Sequence, residues 1–248
     1  MHACIYVCMH ASSCLVSGSA GTGKSRTVRS FVKSLRRVVR EHGRSEEAVQ
    51  GCTILAAPTG CASFQMKYGA TTVHRAFGVP VGYCGPFPKG SKTLLRVQKK
   101  LKHARLAVLD EFSMLGRTFL GKVDYRVGDA LKDRRRAFGE RHVSIGGLDL
   151  VMSGHTAQAK PVGDEPLYKT GAYQGKGLNK PGGKRERDPS APTCAALVSR
   201  GSLLRDEFED VALLRSVWRI DDGNASMAPA ELEQYRREAD QFLEVTGR

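Results

Sequence analysis

The sequence lacks the features that point to a membrane-spanning or disulfide-stabilised protein. It has no uninterrupted apolar run of the roughly 18 residues that a spanning helix needs, so we expect a chain that does not cross a bilayer. It has no Cys-x-x-Cys pair, and its seven cysteines are an odd number, which favours a reducing compartment over a disulfide framework. The His and Cys residues near the amino terminus match no zinc-finger spacing, so we expect no metal there.

Acidic residues are too few to balance the basic ones. The 248 residues include 39 Lys and Arg against 25 Asp and Glu, which gives a formal net charge of +14. Two segments, 26–40 and 89–105, carry many basic residues and no acidic residue. Such a distribution favours a polyanionic partner such as nucleic acid over a basic surface that only keeps the protein in solution.

Short apolar runs alternate with helical patterns along the chain. Four runs predict buried strands, at 13–17, 52–57, 106–109 and 148–152. Apolar residues at three- and four-residue spacing predict a helix that ends near Glu41 and has a basic second face, and residues 93–103 predict another basic helix. The alternation predicts an α/β fold with a mainly parallel sheet between two layers of helices, where ligands bind at the carboxyl ends of the strands.

A glycine-rich loop follows the first predicted strand. It reads Gly18, Ser19, Ala20, Gly21, Thr22, Gly23, Lys24 and Ser25. This order fits G-x-x-x-x-G-K-[ST] between a strand and a helix. In that pattern backbone N–H groups surround the phosphates, Lys24 neutralises the β- and γ-phosphates, and Ser25 supplies a hydroxyl ligand to Mg²⁺. The sequence therefore predicts a P-loop NTPase that binds ATP and Mg²⁺.

Two carboxylates, Asp110 and Glu111, end the third predicted strand. Acidic pairs at strand ends are common on solvated surfaces, but together with a P-loop they predict two separate roles. Asp110 is expected to hold the hydrated Mg²⁺ opposite Ser25. Glu111 is expected to polarise the water that attacks the γ-phosphate.

Further motifs resemble those of the petite-integration-frequency family of DNA helicases, which includes the helicase module of Helitron transposons. They are Ala-Pro-Thr-Gly-x-Ala at 57–62, Thr-Thr-Val-His at 71–74, Asp-Glu-Phe-Ser-Met at 110–114 and Gly-x-x-x-Gln at 154–158. The resemblance covers roughly Ser13 to Arg219. It implies a RecA-like superfamily-one motor that hydrolyses ATP and moves 5′-to-3′ on single-stranded DNA while unwinding duplex DNA. It also implies work in DNA repair, recombination and telomere maintenance, in the nucleus or an organelle.

The resemblance implies roles for individual residues as well. Contacts to DNA are expected from Pro58, Thr59, Gly60, Thr72 and His74. Gln158 would contact the γ-phosphate and couple hydrolysis to movement, and Arg219 would stabilise charge on the transferring phosphoryl group. Phe64 and Phe77 are candidate stacking surfaces for bases, although the preferred interpretation is that both pack the short helices as apolar anchors.

The chain departs from the family pattern within one motif and at both ends. His155 replaces an acidic residue of the family motif, which predicts a changed local charge beside the phosphates. Neither the adenine-reading glutamine segment nor the second RecA-like domain of the family is visible, so we expect a fragment that needs a partner domain. Four parts are predicted: an N-terminal extension (1–12), the ATP-binding helicase domain (13–170), a flexible linker or insertion (171–193), and the end of the first motor domain with the start of a linker (194–248).

Two other functions remain open from the sequence. One is a truncated or degenerate nucleic-acid-binding remnant that binds ATP without productive turnover. The other is a P-loop enzyme of another class, such as a nucleotide kinase, although the Ala-Pro-Thr-Gly segment and Gln158 argue against it. Measured ATP hydrolysis separates the motor from the remnant.

Overall fold

One parallel sheet organises the protein. The computed structural model describes residues 13–132, 144–156, 158–169, 172–174, 188–208 and 210–214. Within these residues the strands are β1 (Ser13–Gly18), β2 (Thr53–Ala57), β3 (Thr71–Thr72), β4 (Leu106–Leu109), β5 (Asp149–Gly154) and β6 (Asp210–Leu214). Their order across the sheet is β3-β2-β4-β5-β1-β6, and all neighbours are parallel. The predicted α/β fold with a mainly parallel sheet is confirmed.

Helices connect these strands. They are α1 (Lys24–Glu41), α2 (Glu46–Gly51), α3 (Gly60–Met66), α4 (Val73–Phe77), α5 (Lys92–Leu101), α6 (Arg117–Ala130) and α7 (Cys194–Asp206), with 3₁₀ turns at Phe112–Met114 and Ser144–Gly147. The predicted helix ending at Glu41 and the predicted basic helix are confirmed as α1 and α5. Among the described residues, no helix is both long enough and apolar enough to span a membrane.

The sheet separates two apolar cores. Successive side chains of a strand point to opposite faces, so in β4 Ala107 and Leu109 join one core while Leu106 and Val108 join the other. The first core is completed by α4, α5 and α6. The second is completed by α1 through Val28, Phe31 and Val32. This is the three-layer arrangement expected of a P-loop NTPase.

Two glycines allow α6 and α7 to pack backbone against backbone. A Cβ atom at Gly121 would lie 1.9 Å from the carbonyl oxygen of Leu197, and a Cβ atom at Gly201 would lie 1.9 Å from that of Arg117. Any side chain at either position would therefore force the helices apart. Helix α7 leads to β6, and β6 pairs with β1, the strand that precedes the P-loop. The contact between α6 and α7 therefore helps to fix the position of β6.

Candidate nucleotide-binding site

Three chain segments leave the same edge of the sheet side by side. Strands β4, β5 and β1 are consecutive in the sheet, with Leu109 opposite Met152 and Gly154 opposite Ser17. The P-loop, the Asp110–Glu111 pair and the segment that contains Gln158 follow these strand ends directly. The parallel register thus brings together residues that are far apart in the sequence.

The P-loop has the backbone conformation that the glycine pattern requires. Gly21 and Gly23 have φ angles of 85° and 89°, a region that residues with a Cβ atom rarely adopt. Thr22 closes the turn by donating its hydroxyl to the carbonyl oxygen of Ser19 at 2.9 Å. Helix α1 begins at Lys24 with no side-chain cap and no acidic residue in its first turn. This uncapped helix N-terminus is suited to an anion such as phosphate.

Lys24 lies across the P-loop and close to the acidic pair. Its Nζ donates to the carbonyl oxygens of Gly18 at 2.6 Å and Ser19 at 2.8 Å. Burial raises the pKa of Glu111 and lowers that of His155, and the ammonium charge of Lys24 acts to lower both, so it influences residues that follow both β4 and β5. The hydroxyl of Ser19 is buried there and has no hydrogen-bond partner among the described residues.

The two carboxylates have different environments. Asp110 is buried and accepts a hydrogen bond from the Ser153 hydroxyl at 2.5 Å. Glu111 has the left-handed backbone conformation (φ 55°, ψ 49°), which is uncommon for a residue other than glycine. Burial raises the pKa of Glu111 and the Asp110 charge raises it further, against the opposing effects of Lys24 and Gln158. A carboxylate with a raised pKa is a stronger proton acceptor, as the predicted role requires.

Gln158 lies beside Glu111 at this edge of the sheet, where hydrogen bonding from its side chain opposes the rise in the pKa of Glu111. Among the described residues, the side-chain oxygen Oε1 of Gln158 is buried with no hydrogen-bond partner, so we assign the donating atom to its amide nitrogen. Buried polar atoms without a partner are rare in folded proteins, and this one suits a site that is completed by a ligand or water.

His155 is neutral at physiological pH. It is buried, and both burial and the charge of Lys24 lower its pKa. The replacement of the family's acidic residue therefore removes a negative charge from the site without adding a positive one.

The predicted DNA-contacting residues lie mainly at the carboxyl edge of β2 and β3. Ala57 and Thr72 are partners in the register, which brings the residues after β2 next to Thr72. Both threonines cap helices: Thr59 accepts from the Ala62 N–H at 3.2 Å, and Thr72 accepts from the Arg75 N–H at 3.4 Å. Their hydroxyls thus have structural roles, while Pro58 is partly exposed and Gly60 is exposed at the same edge.

Phe77, Phe64 and His74 differ in how far their rings are exposed to solvent. The Phe77 side chain is 0% exposed, which confirms its interpretation as a packing anchor. The same interpretation is wrong for Phe64, which is 85% exposed because α3 turns Ser63 and Met66 inward instead. The ring of His74 packs against Phe119 with 4.8 Å between centroids, so it is only partly available to a ligand. Arg219 lies outside the described residues.

The residues that could hold Mg²⁺ are few. The described residues contain no group of three or more His, Cys, Asp or Glu side chains that would form a metal site by itself. Ser25 and Asp110 are compatible with Mg²⁺, because this ion usually takes one or two protein ligands together with waters and substrate phosphates. The sequence analysis did not predict that Ser153 orients Asp110. The available signal was a polar residue near the carboxyl end of a strand whose preceding residues Leu150, Val151 and Met152 are apolar.

Comparisons with known proteins agree with this geometry. The sequence pattern of the family described as PIF1-like helicase matches residues 5–171. The ATP-dependent DNA helicase PIF1 of Saccharomyces cerevisiae is 32% identical over 162 residues, covering 62% of this chain and 16% of that protein. The ATP-dependent DNA helicase PIF7 of Trypanosoma brucei is 28% identical over 163 residues, covering 62% of this chain and 14% of that protein.

A solved structure shares the fold over most of the chain. The Pif1 helicase from Candida albicans has a TM-score of 0.52 at 21% sequence identity, covering 89% of this chain and 40% of that one. The chain spans only 14% to 18% of the length of the curated relatives that it matches. Because the family pattern covers more than half of its residues, the chain belongs to the PIF1-like helicase family.

Proposed function

We propose that this chain is the ATP-binding motor domain of a DNA helicase, which couples ATP hydrolysis to 5′-to-3′ movement on single-stranded DNA. The observation that carries the proposal is the P-loop at the carboxyl end of β1, where Gly21 and Gly23 have positive φ angles and Lys24 begins an uncapped helix. The register of β4 and β5 brings Glu111 and Gln158 to the same edge of the sheet, and among the described residues Ser19 and Gln158 each have a buried polar atom that finds no hydrogen-bond partner. A triphosphate is the ligand that such a loop accommodates.

Each residue of the site has a defined task in this proposal. Lys24 and the P-loop N–H groups hold the phosphates, while Ser25 and Asp110 hold Mg²⁺, which supplies charge neutralisation for phosphoryl transfer. Glu111 takes the proton from the attacking water, for which its raised pKa suits it. Gln158 senses the γ-phosphate through the amide nitrogen that now lies beside Glu111.

The DNA-binding part of the proposal uses the carboxyl edge of β2 and β3. Pro58, Thr59, Gly60 and Thr72 bring backbone groups to this edge, and the exposed ring of Phe64 provides a surface on which a base can stack. Arg219 and a second RecA-like domain would complete the hydrolysis site. Duplex unwinding in DNA repair, recombination or telomere maintenance belongs to the proposal for the whole protein.

One observation favours a second candidate function, that of a remnant that binds ATP without turnover. His155 leaves the site one negative charge short of the family pattern. In that case nucleotide binding would persist and hydrolysis would be lost.

Single-stranded-DNA-stimulated ATP hydrolysis tests the proposal. We expect hydrolysis by the chain to rise when oligothymidylate is added. Glu111→Gln should bind Mg-ATP but lose hydrolysis by roughly 10²- to 10⁴-fold, the usual contribution of a general base. Lys24→Ala should lose nucleotide binding. Glu41→Gln, an exposed carboxylate near the end of α1, is the matched control and should behave as wild type.

The outcomes separate the candidate functions. Hydrolysis that rises with single-stranded DNA and is lost in Glu111→Gln would favour the motor over the remnant. Unchanged nucleotide binding in Lys24→Ala would contradict the assigned site itself.

A further inference from the structure

Three cations meet at the outer edge of the sheet, far from the nucleotide site. Arg75 is on α4, and Arg96 and Lys100 are on α5. We call these three residues the edge cluster. Lys100 donates from Nζ to the hydroxyl of Thr71 on β3 at 3.0 Å, while Arg75 and Arg96 are exposed. Strands β2, β4 and β5 lie between β3 and the P-loop strand β1, so the cluster is distinct from the ATP site.

No acidic side chain compensates this charge in the described part of the chain, where none of the ion pairs involves a member of the edge cluster. Burial lowers the pKa of Lys100, and the charges of Arg75 and Arg96 lower it further. Like charges that the fold holds together repel one another, and a bound anion would remove that cost.

The edge cluster is continuous with the surface at which we place DNA. Thr72 is the register partner of Ala57, the residue before Pro58, and Thr71 is the residue that Lys100 contacts. The two threonine hydroxyls are already used, one by Lys100 and one as the cap of α4. The free binding capacity of this surface therefore lies in its cations, which suit phosphate rather than bases.

We propose that the edge cluster binds backbone phosphates of single-stranded DNA as the strand continues beyond the edge formed by Pro58, Thr59 and Gly60. This inference rests on the proposed function, because it extends the DNA path of the same motor. Arg75 and Arg96 offer guanidinium groups that can bind phosphate through two hydrogen bonds. Lys100 is positioned by Thr71, so its charge is held in place before DNA binds.

The salt dependence of DNA binding tests the inference. Binding of fluorescent oligothymidylate is followed by anisotropy over a range of salt concentrations. For Arg75→Gln/Arg96→Gln/Lys100→Gln we expect the slope of log affinity against log salt to become shallower by about 2, since each phosphate contact to a single strand contributes about 0.7. Lys33→Gln/Arg37→Gln/Arg44→Gln removes the same charge from exposed positions on and after α1, and should change the slope by less than about 0.7.

A second variant guards against misfolding of the triple variant. Arg75→Gln/Arg96→Gln keeps the hydrogen bond between Lys100 and Thr71 and should make the slope shallower by about 1.4. Equal changes in edge-cluster and control variants would overturn the inference, as would an unchanged slope in both edge-cluster variants. Variants that lose binding to duplex DNA but keep their binding to single-stranded DNA unchanged would also overturn the inference.

The same samples distinguish failure of this inference from failure of the proposed function. Wild type that shows the edge-cluster effect but hydrolyses no ATP would contradict the motor and support the phosphate contacts. Wild type with DNA-stimulated hydrolysis and no edge-cluster effect would support the motor and overturn the inference.

Discussion

Phe64 and Phe77 show how two residues of one type, placed in neighbouring motifs, can have opposite environments. Phe64 lies on the outer side of α3 and Phe77 ends α4 within the core beneath the sheet. Both helices are short, so a single turn of helix decides whether a ring faces solvent or the core. The sequence does not encode that rotation clearly, because each motif has apolar residues on either side of the phenylalanine.

We expect alanine substitutions at the two positions to separate binding from stability. Phe64→Ala should weaken oligothymidylate binding by about 1–3 kcal/mol, the contribution of one stacked base. Its unfolding free energy should stay near that of wild type, because the ring is 85% exposed. Phe77→Ala should lower the unfolding free energy by about 3–5 kcal/mol. Fluorescence anisotropy and urea unfolding measure the two effects, and unchanged DNA affinity in Phe64→Ala would contradict the stacking role.

At the scale of elements, the helix that follows the acidic pair has an apolar stripe of Leu120, Val123, Val127 and Ala130. Helix α6 also buries Arg117, Lys122, Asp124 and Arg126, and the burial of these charged residues could not be predicted from apolar spacing. Each of the first three has a specific partner in the fold: Glu165 for Arg117, the Gly82 carbonyl for Lys122, and Arg200 for Asp124. These partners come from distant segments, and only the tertiary structure reveals them.

Helix α7, in contrast, had a signal that was missed. Leu197, Val198, Gly201 and Leu204 are buried at three- and four-residue spacing, and the Thr193 side chain caps the helix. The apolar residues were too few to stand out beside the polar segment before them. Strands β1, β2, β4 and β5 and the P-loop were predictable because a buried strand needs only a short apolar run and the loop needs only its glycines. The family resemblance predicts a contact of Gln158 with the γ-phosphate, whereas its place beside Glu111 is seen only in the structure.

The contact between α6 and α7 predicts a steep cost for adding a single methyl group. Gly121→Ala would bring Cβ to 1.9 Å from the Leu197 carbonyl oxygen, a distance that requires the two backbones to separate. We expect a loss of about 1–3 kcal/mol or more in the free energy of unfolding. Gly82→Ala is the control, since a methyl group at that position would have no neighbouring atom within 4 Å. Urea unfolding compares the two, and equal stability would contradict the close packing.

At the scale of the whole molecule, one acidic segment ties the region after Gln158 to α6. Asp164 accepts hydrogen bonds from the Thr118 hydroxyl at 2.9 Å, the Phe119 N–H at 2.9 Å and the Tyr173 hydroxyl at 3.0 Å. Next to it, Glu165 forms a buried ion pair with Arg117. These contacts join the segment after Gln158 to the helix that packs on α7. Carboxylates thus hold the fold together in a chain whose net charge is +14.

The Glu165 carboxylate makes the stability of the molecule depend on pH. Hydrogen bonds from Lys169 and Arg117 lower its pKa from 4.5 to about 2. Because the pKa is lower in the folded state, the Glu165 carboxylate stabilises the fold at pH values above its unfolded pKa of 4.5. This contribution is lost as the pH falls from about 4.5 towards 2. Acid also increases the net positive charge, and self-repulsion then adds to the loss.

We expect Glu165→Gln to be less stable than wild type at neutral pH, because the buried Arg117 would then lose its ion pair with Glu165. The difference between the two proteins should shrink as the pH is lowered below about 4.5, since the unfolded wild-type chain then binds a proton at Glu165 that the folded protein binds only near pH 2. Urea unfolding midpoints across an acid series measure this. Glu41→Gln removes an exposed carboxylate that lies 3.7 Å from Arg37 and should follow wild type throughout, as surface ion pairs contribute little. A constant difference between Glu165→Gln and wild type at every pH would show that packing, and not the charge of Glu165, holds this segment on α6.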